Sequence, residues 1–297
     1  MEFLESCPVC KRAQFEPFLN CVDYTVSKEQ FSLVRCVQCS FVFTNPRPAM
    51  ADIGRYYESA AYTPHSGGDS SVIAKLYREV RKIALKNKLQ LITRLCPNPG
   101  GILDYGCGSG EFLQVCTQAG WKTLGVDASE TARKIAKQQN IQVITPEELS
   151  QNKQSYSFDI ISLWHVLEHL HDLHGTLVLL KEILSSNGWL LIAVPNRDSN
   201  DAQFYRQYWA AYDVPRHLYH FRPQDMEALL NQHQLEIAEF LPMPFDAYYV
   251  SLLSEQYQNV GIMRFPKAFW SGLRSNIAAR NNAKFSASVL YLIRHKL

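Results

Sequence analysis

Short apolar segments alternate with segments of helical periodicity from Gly100 to the end of the chain. This alternation is typical of an α/β fold, a doubly wound and mostly parallel sheet whose strands are joined by helices. Residues 245–285 are rich in aromatics and helix formers, and they predict a helical insertion before the last strand. We predict a seven-stranded sheet with strands at Gly101–Tyr105, Thr123–Val126, Ile141–Ile144, Phe158–Leu163, Trp189–Val194, Leu235–Leu241 and Ser288–Arg294.

A glycine-rich loop, Asp104–Gly110, follows the first predicted strand and reads D-x-G-x-G-x-G. Glycine lets a backbone turn sharply and approach a ligand closely. A dinucleotide site would read G-x-G-x-x-G, and its pyrophosphate would be repelled by Asp104 and Glu111. S-adenosylmethionine instead carries a sulfonium and an ammonium, which carboxylates favour. The loop therefore predicts this cofactor, bound by Asp104 and by Gly106, Gly108 and Gly110.

A second acidic residue, Asp127, ends the next predicted strand 23 residues after Asp104. At this place in such folds a carboxylate accepts hydrogen bonds from the two ribose hydroxyls. The alternative is that Asp127 caps the helix that follows Ser129. We assign Asp127, the adjacent Ala128, and Trp164 at the end of the fourth strand to the cofactor site.

Two Cys-x2-Cys pairs lie in the first 39 residues, which hold five of the eight cysteines. Each such turn directs two thiolates toward one point, and two turns supply the tetrahedral positions of a structural zinc. The alternative is a set of buried cysteines without a metal. The predicted ligands are Cys7, Cys10, Cys36 and Cys39.

These features divide the chain into three predicted parts. Residues 1–48 form a zinc-ribbon module with short antiparallel strands. Residues 49–99 form a linker or lid with an amphipathic helix, and residues 100–297 form the cofactor-binding domain.

Taken together, the motifs resemble those of class I S-adenosylmethionine-dependent methyltransferases, which implies a Rossmann-like fold and S-adenosylhomocysteine as product. More closely, the chain resembles bacterial methyltransferases with an N-terminal four-cysteine zinc ribbon followed by T-N-P-R-P, here Thr44–Pro48. The motifs that carry the resemblance are Asp104–Gly110, Gly125–Ser129, Phe158–Ile161, His165–His169 and Asn187–Ile192. They are specific for the cofactor and barely specific for the methyl acceptor.

A first histidine segment, His165–His169, follows the fourth strand. In ubiquinone-type O-methyltransferases a similar segment reads Glu-x-x-Glu-His and holds a divalent ion. Here His165 replaces the first glutamate, which disfavours magnesium, a cation that prefers oxygen ligands. His165 is a candidate catalytic residue, whereas structural hydrogen bonds are the favoured interpretation of Glu168 and His169.

A second histidine segment, Asp213–Phe221, reads D-x-P-R-H-L-x-H-F after the fifth strand. Its position is similar to that of Y-x-E-H in zinc-ribbon enzymes that C-methylate nucleotide-linked deoxysugars and use the histidine as a base. The resemblance predicts that His217 is a proton acceptor. Because Arg216 and Val214 differ from that pattern, the same sugar chemistry is not implied. The alternative is a loop held by two structural histidines, His217 and His220.

The charge balance bears on the acceptor, because thirty basic and twenty-eight acidic residues leave a formal charge of only +2. A nucleic-acid binder usually has a concentrated basic face, and we interpret the basic residues between 75 and 88 as the solvated face of a helix. We expect a small-molecule acceptor: a sugar, a lipid-linked compound or a secondary metabolite. An RNA or protein methyltransferase and a non-catalytic cofactor-binding protein are the alternatives.

The same sequence predicts a cytoplasmic protein without a membrane span. Its longest apolar run, Gly188–Val194, is too short to cross a bilayer. The first residues lack the features of a signal peptide.

Overall fold

The structure is a computed structural model that describes residues 1–58, 72–258 and 261–296. Its strands are β1 Phe15–Val22, β2 Gln30–Cys36, β3 Val42–Thr44, β4 Gly101–Tyr105, β5 Lys122–Val126, β6 Val143–Ile144, β7 Phe158–Trp164, β8 Leu184–Pro195, β9 Tyr219–His220, β10 Leu235–Pro242 and β11 Ser288–His295. Its α-helices are α1 Val72–Leu95, α2 Glu111–Gln118, α3 Glu130–Gln138, α4 Pro146–Gln151, α5 Leu173–Ile183, α6 Asn200–Tyr205, α7 Pro223–Gln232, α8 Pro244–Tyr257 and α9 Arg264–Asn281.

The larger sheet has seven strands in the order β10-β11-β8-β7-β4-β5-β6. Strands β8, β7, β4, β5 and β6 are parallel, and β11 is antiparallel to both of its neighbours. The predicted α/β fold is thus confirmed, although β8 begins at Leu184, five residues before the predicted start, because α5 ends at Ile183. The predicted helical insertion consists of α8 and α9, between β10 and β11.

The chain order of the parallel strands reverses between β4 and β7, which are neighbours in the sheet. Ligands of open α/β sheets bind in the crevice at the carboxyl ends of the strands at such a reversal. The glycine loop after β4 and the histidine segment after β7 both begin at this crevice. The fold therefore brings the two predicted site segments to one edge of the sheet.

A second, smaller sheet has the order β1-β2-β3-β9. Its first three strands come from the cysteine-rich N-terminal part, whereas β9 belongs to the second histidine segment. In the β3–β9 pair, Val42 lies opposite His220 and Phe43 opposite Tyr219. Next to this strand pair, the ring of Phe41 packs against the rings of Tyr219 and Phe221. The N-terminal sheet is thus completed by a strand from the body.

The segment between the two sheets includes residues 59–71, which lie outside the described residues. Its described parts are a short helical turn at Ile53–Tyr57 and α1. The lid function of this segment and the domain boundaries stay predictions. Among the helices that the structure describes, none has the length and apolarity needed to cross a membrane.

Candidate active site

The four N-terminal cysteines converge as the sequence predicts. Sγ of Cys7 lies 3.6 Å from Sγ of Cys39, and Sγ of Cys10 lies 3.4 Å from Sγ of Cys36. Zinc with four thiolates at about 2.3 Å would hold them about 3.8 Å apart, so the arrangement is compatible with a tetrahedral ion. Each Cys-x2-Cys turn ends on a residue with positive φ, and this conformation is the reason that glycine is common there.

The glycine loop after β4 has the conformation that its glycines permit. Gly106, Gly108 and Gly110 have φ of 77°, 54° and 79°, values that other residues rarely adopt. A Cβ on Gly106 would lie only 2.4 Å from Cγ2 of Val166. A side chain at Gly106 would therefore force Val166 or the loop backbone to move.

Asp127 joins the glycine loop to the end of β5. Its Oδ2 accepts a hydrogen bond from Gly108 N at 2.8 Å, and its Oδ1 accepts one from Ser129 N at 2.8 Å. Ser129, not Asp127, is the N-cap of α3. The adjacent Ala128 holds its carbonyl toward Arg133, which donates to it at 2.7 Å. Each carboxylate oxygen has two lone pairs, so Asp127 retains the capacity to accept further hydrogen bonds.

Asp104 lies at the base of the same crevice and is only 4% exposed. Burial raises the pKa of this carboxyl to about 6, although Ser162 donates a hydrogen bond to it at 2.6 Å. The crevice thus contains a carboxyl group that a bound cation would stabilise in its charged form.

Lys88 of α1 also faces this crevice, and sequence reasoning missed it. Its Nζ lies 4.0 Å from the centre of the Trp164 ring and 5.6 Å from that of Phe112. Burial lowers the pKa of Lys88, while the nearby carboxylates of Asp104 and Asp246 oppose that effect. The interpretation of Lys88 as part of a solvated basic face is therefore wrong. Its spacing from Leu85 and Ile92, which places all three on one helix face, could have revealed it.

His165 lies between two carboxylates just beyond β7. Its Nε2 donates to Asp246 Oδ2 at 3.0 Å, and its Nδ1 lies 3.4 Å from Glu168 Oε1. Burial by itself would lower the pKa of His165, but the hydrogen bond to Asp246 and the adjacent Glu168 raise it to about 10. With a charged ring at neutral pH, His165 is poorly suited to accept a proton. Its φ of 58° adds backbone strain, which is common at functional sites.

His217 is held differently and is only 8% exposed. Its Nδ1 lies 2.8 Å from the carbonyl oxygen of Ala211. A carbonyl can only accept, so Nδ1 carries the proton and Nε2 of the neutral ring carries a lone pair. Nε2 lies 3.9 Å from Glu168 Oε1 and 4.0 Å from Asp213 Oδ2. Both carboxylates are placed to stabilise the ring after it gains a proton.

Glu168 is fully buried, and neither of its carboxylate oxygens has a hydrogen-bond partner among the described residues. His169 lies beside it, and the ring centres of His169 and His217 are 4.6 Å apart. Nδ1 of His169 contacts the carbonyl oxygen of Arg216 at 3.0 Å. One atom from each of Glu168, His169 and His217 lies within 4.8 Å of the others, so the three could also hold a metal ion.

Arg216 and His220 have structural partners. The Arg216 guanidinium donates to Asp213 at 2.7 Å, to Asp23 at 2.8 Å and to the carbonyl of Tyr56 at 2.9 Å. The His220 ring lies 3.2 Å from the Thr44 hydroxyl, beside the β3–β9 pair. Both side chains therefore connect the second histidine segment to the N-terminal part.

A small cleft borders the second histidine segment at Asp213, Val214 and Arg216. Its wall includes Tyr24 from the N-terminal part, Trp209, Asp213 and Arg216 from the body, and Tyr257 from α8. The rings of Tyr24 and Tyr257 stack with centres 4.4 Å apart. Three separate parts of the chain thus form one aromatic cleft.

The antiparallel strand β11 of the seven-stranded sheet and the glycine loop at the strand-order reversal are features of Rossmann-like methyltransferase domains. Residues 76–239, more than half of the chain, match the family described as a methyltransferase domain. The chain belongs to this family.

Among curated relatives, a ubiquinone biosynthesis O-methyltransferase of Albidiferax ferrireducens is 28% identical over 119 residues, 37% of this chain and 47% of that protein. One of Haemophilus ducreyi is 31% identical over 107 residues, 32% of this chain and 45% of that protein. The chain spans about half the length of the curated relatives it matches.

Solved structures with a similar fold include a SAM-dependent methyltransferase from Archaeoglobus fulgidus, with 20% identity and a TM-score of 0.47, covering 76% of this chain and 100% of that one. Magnesium protoporphyrin IX methyltransferase from Synechocystis PCC 6803 with bound SAH has 14% identity and a TM-score of 0.49, covering 76% and 89%.

Proposed function

We propose that this protein transfers a methyl group from S-adenosylmethionine to a small-molecule hydroxyl or activated carbon, with His217 accepting the proton that the acceptor loses. The observation that carries the proposal is the tautomer of His217, whose Nδ1 is committed to the Ala211 carbonyl at 2.8 Å. The remaining lone pair on Nε2 is therefore available to a substrate proton. Glu168 and Asp213, each about 4 Å from Nε2, would stabilise the imidazolium by their negative charge.

The described residues fit the cofactor. S-adenosylmethionine supplies an electrophilic methyl group on a sulfonium centre. The backbone around Gly106 and Gly108 would approach it, Asp127 would accept from the ribose hydroxyls, and the buried Asp104 suits its positive charge. Lys88 has no ion pair or hydrogen bond among the described residues, and its ammonium would bind the cofactor's carboxylate.

The cleft beside the second histidine segment supports a small acceptor. Its wall includes Tyr24 and Tyr257, whose rings stack, together with the carboxylate of Asp213. Flat aromatic walls with a few polar groups are typical of small-molecule sites. The curated relatives are named as O-methyltransferases of ubiquinone biosynthesis, which supports a small-molecule acceptor.

A second candidate is a metal-assisted transfer at the same place, in which Glu168, His169 and His217 bind a divalent ion. The observation in its favour is that both imidazoles direct Nδ1 to a backbone carbonyl, at 3.0 and 2.8 Å. Metal-binding histidines are commonly oriented in this way. Two nitrogen donors and one carboxylate favour a transition metal over magnesium.

The test begins with a panel of phenols, hydroxylated lipids and nucleotide-linked sugars, each incubated with S-adenosylmethionine that carries a radiolabelled methyl group. With the first compound that accepts label, His217→Asn should lower the single-turnover rate by about two to four orders of magnitude. Its affinity for S-adenosylmethionine, measured by calorimetry, should change little.

His165→Asn is the matched control. Because His165 holds Asp246 and Glu168 at the cofactor end of the site, its loss should weaken cofactor binding as well as rate. A normal rate in His217→Asn would refute the proposed base. If a metal added to chelator-treated protein is needed for turnover and binds wild type but not His217→Asn, the metal-assisted candidate replaces the proposal.

A further inference from the structure

The helical hairpin formed by α8 and α9 has an unusual exposed face. On α9 the small residues Ala268, Gly272, Ser275 and Ala279 are buried against the protein. Beside and opposite these residues, α9 exposes the apolar side chains of Phe265, Phe269, Trp270 and Ile277, and the turn before it exposes Ile262 and Met263. Trp270 is 66% and Ile262 84% exposed. Neighbouring large apolar side chains on a surface mark an interaction site more often than scattered ones do.

The same segment carries a concentrated positive charge. Residues 261–281 contain Arg264, Lys267, Arg274 and Arg280 and no aspartate or glutamate. The whole chain has a formal charge of only +2, so this segment departs strongly from the average. Helical spacing places Trp270 and Ile277 at the centre of the exposed face, with Arg274 on one flank and Arg280 on the other.

We infer that this face of the hairpin, residues 261–281, docks on the anionic surface of a lipid bilayer. A helix with an apolar face flanked by lysine and arginine lies in the plane of a membrane, with its aromatics at the boundary between headgroups and acyl chains. The flanking cations contact lipid phosphates. A second copy of this chain fits less well, because a two-fold interface through this face would bring the same basic residues together.

The docking surface is connected to the site. Asp246, in the first turn of α8, is the partner of His165, and Tyr257, the last residue of α8, lines the acceptor cleft. An enzyme docked through α9 would therefore hold its acceptor cleft near the membrane. The inference concerns where the enzyme works, and it stands whether or not His217 is the base.

The test is co-sedimentation of the full-length protein with vesicles of phosphatidylcholine alone and of phosphatidylcholine mixed with phosphatidylglycerol. We expect binding to the mixed vesicles, weakened by salt because the charge contribution is screened. The double variants Phe269→Ser/Trp270→Ser and Lys267→Gln/Arg274→Gln should each lower this binding by about tenfold or more.

Two exposed positions elsewhere serve as matched controls. Val178→Thr on α5 and Lys137→Gln on α3 should bind the mixed vesicles like the wild type, and α3 contacts β6 at the opposite edge of the sheet. Unchanged melting temperatures would establish that all variants are folded. Failure of the wild type to bind the mixed vesicles would overturn the inference. A dimer in light scattering that Phe269→Ser/Trp270→Ser converts to a monomer, without vesicle binding by the wild type, would assign the face to a second copy instead.

Discussion

Replacing Arg216 with methionine tests how the N-terminal part is held to the body. The Arg216 side chain is fully buried and paired with Asp213 at 2.7 Å and Asp23 at 2.8 Å. Methionine keeps much of the length but leaves two carboxylates without their cation, and the Tyr56 carbonyl without its donor. Removing one partner of a buried ion pair costs about 3–5 kcal/mol. We expect Arg216→Met to lower the free energy of unfolding by this amount, measured by urea denaturation followed by tryptophan fluorescence.

Asp23→Asn completes the comparison. Combined with Arg216→Met, it should lower the free energy of unfolding by less than the sum of the single changes, because one unpaired buried charge is removed.

Burial would raise the pKa of Asp23, but Arg216 and backbone N–H donors lower it to about 2. A carboxyl group whose pKa is lower in the folded than in the unfolded state stabilises the fold at pH values above its unfolded pKa, which is about 4 for aspartate. This contribution to the free energy of unfolding is lost as the pH falls toward 2.

Arg216→Met should show a smaller acid-dependent loss than the wild type, because the Arg216 cation is lost while the backbone N–H donors to Asp23 remain. A cost below about 1 kcal/mol, together with additive single changes, would refute the reasoning.

Three further predictions concern the bound groups. Gly106→Ala should strongly weaken S-adenosylmethionine binding in calorimetry, because the added Cβ would lie 2.4 Å from Val166; unchanged affinity would argue against the cofactor site. Elemental analysis should find about one zinc per chain, lost in Cys36→Ser together with stability of the N-terminal part, whereas iron or no metal would contradict the zinc assignment. Lys88→Met should weaken S-adenosylmethionine binding by about tenfold or more and leave binding of 5′-methylthioadenosine, which has no carboxylate, unchanged; equal losses would show that Lys88 acts only through packing.

Local patterns predicted much of the fold. Each of the seven strands of the large sheet was indicated by a short apolar segment, and the cysteine pairs and glycine loop were readable because their spacing is local. The hydrogen bond between Asp246 and His165 could not be predicted from local patterns, because the two residues are 81 positions apart and Asp246 belongs to the helical insertion. The burial of Lys88 is not predicted because lysine side chains on a helix are usually exposed to solvent. Only its position between apolar neighbours on the helix indicates that it is buried.

The pairing of β9 with β3 was also beyond local reasoning. Tyr219–His220 is a two-residue strand, too short for any alternation pattern. Its partner lies far away in sequence, and the pairing is extended by a backbone hydrogen bond from Thr44 N–H to the carbonyl of Leu218. Such an arrangement is specified by tertiary contacts rather than by the residues of β9 themselves.

The completion of the small sheet by β9 has a consequence for the order of assembly. The Thr44 hydroxyl donates to the carbonyl of His217 itself at 2.9 Å, a contact that spans 173 residues. Contacts of such long range form late, after the loop between them has been closed. Folding should therefore form the α/β body before the backbone of His217 is fixed against β3. The N-terminal segment, made first, takes part in the last step by fixing the backbone that carries the proposed base, so this segment is part of the surroundings of His217 rather than a separate appendage.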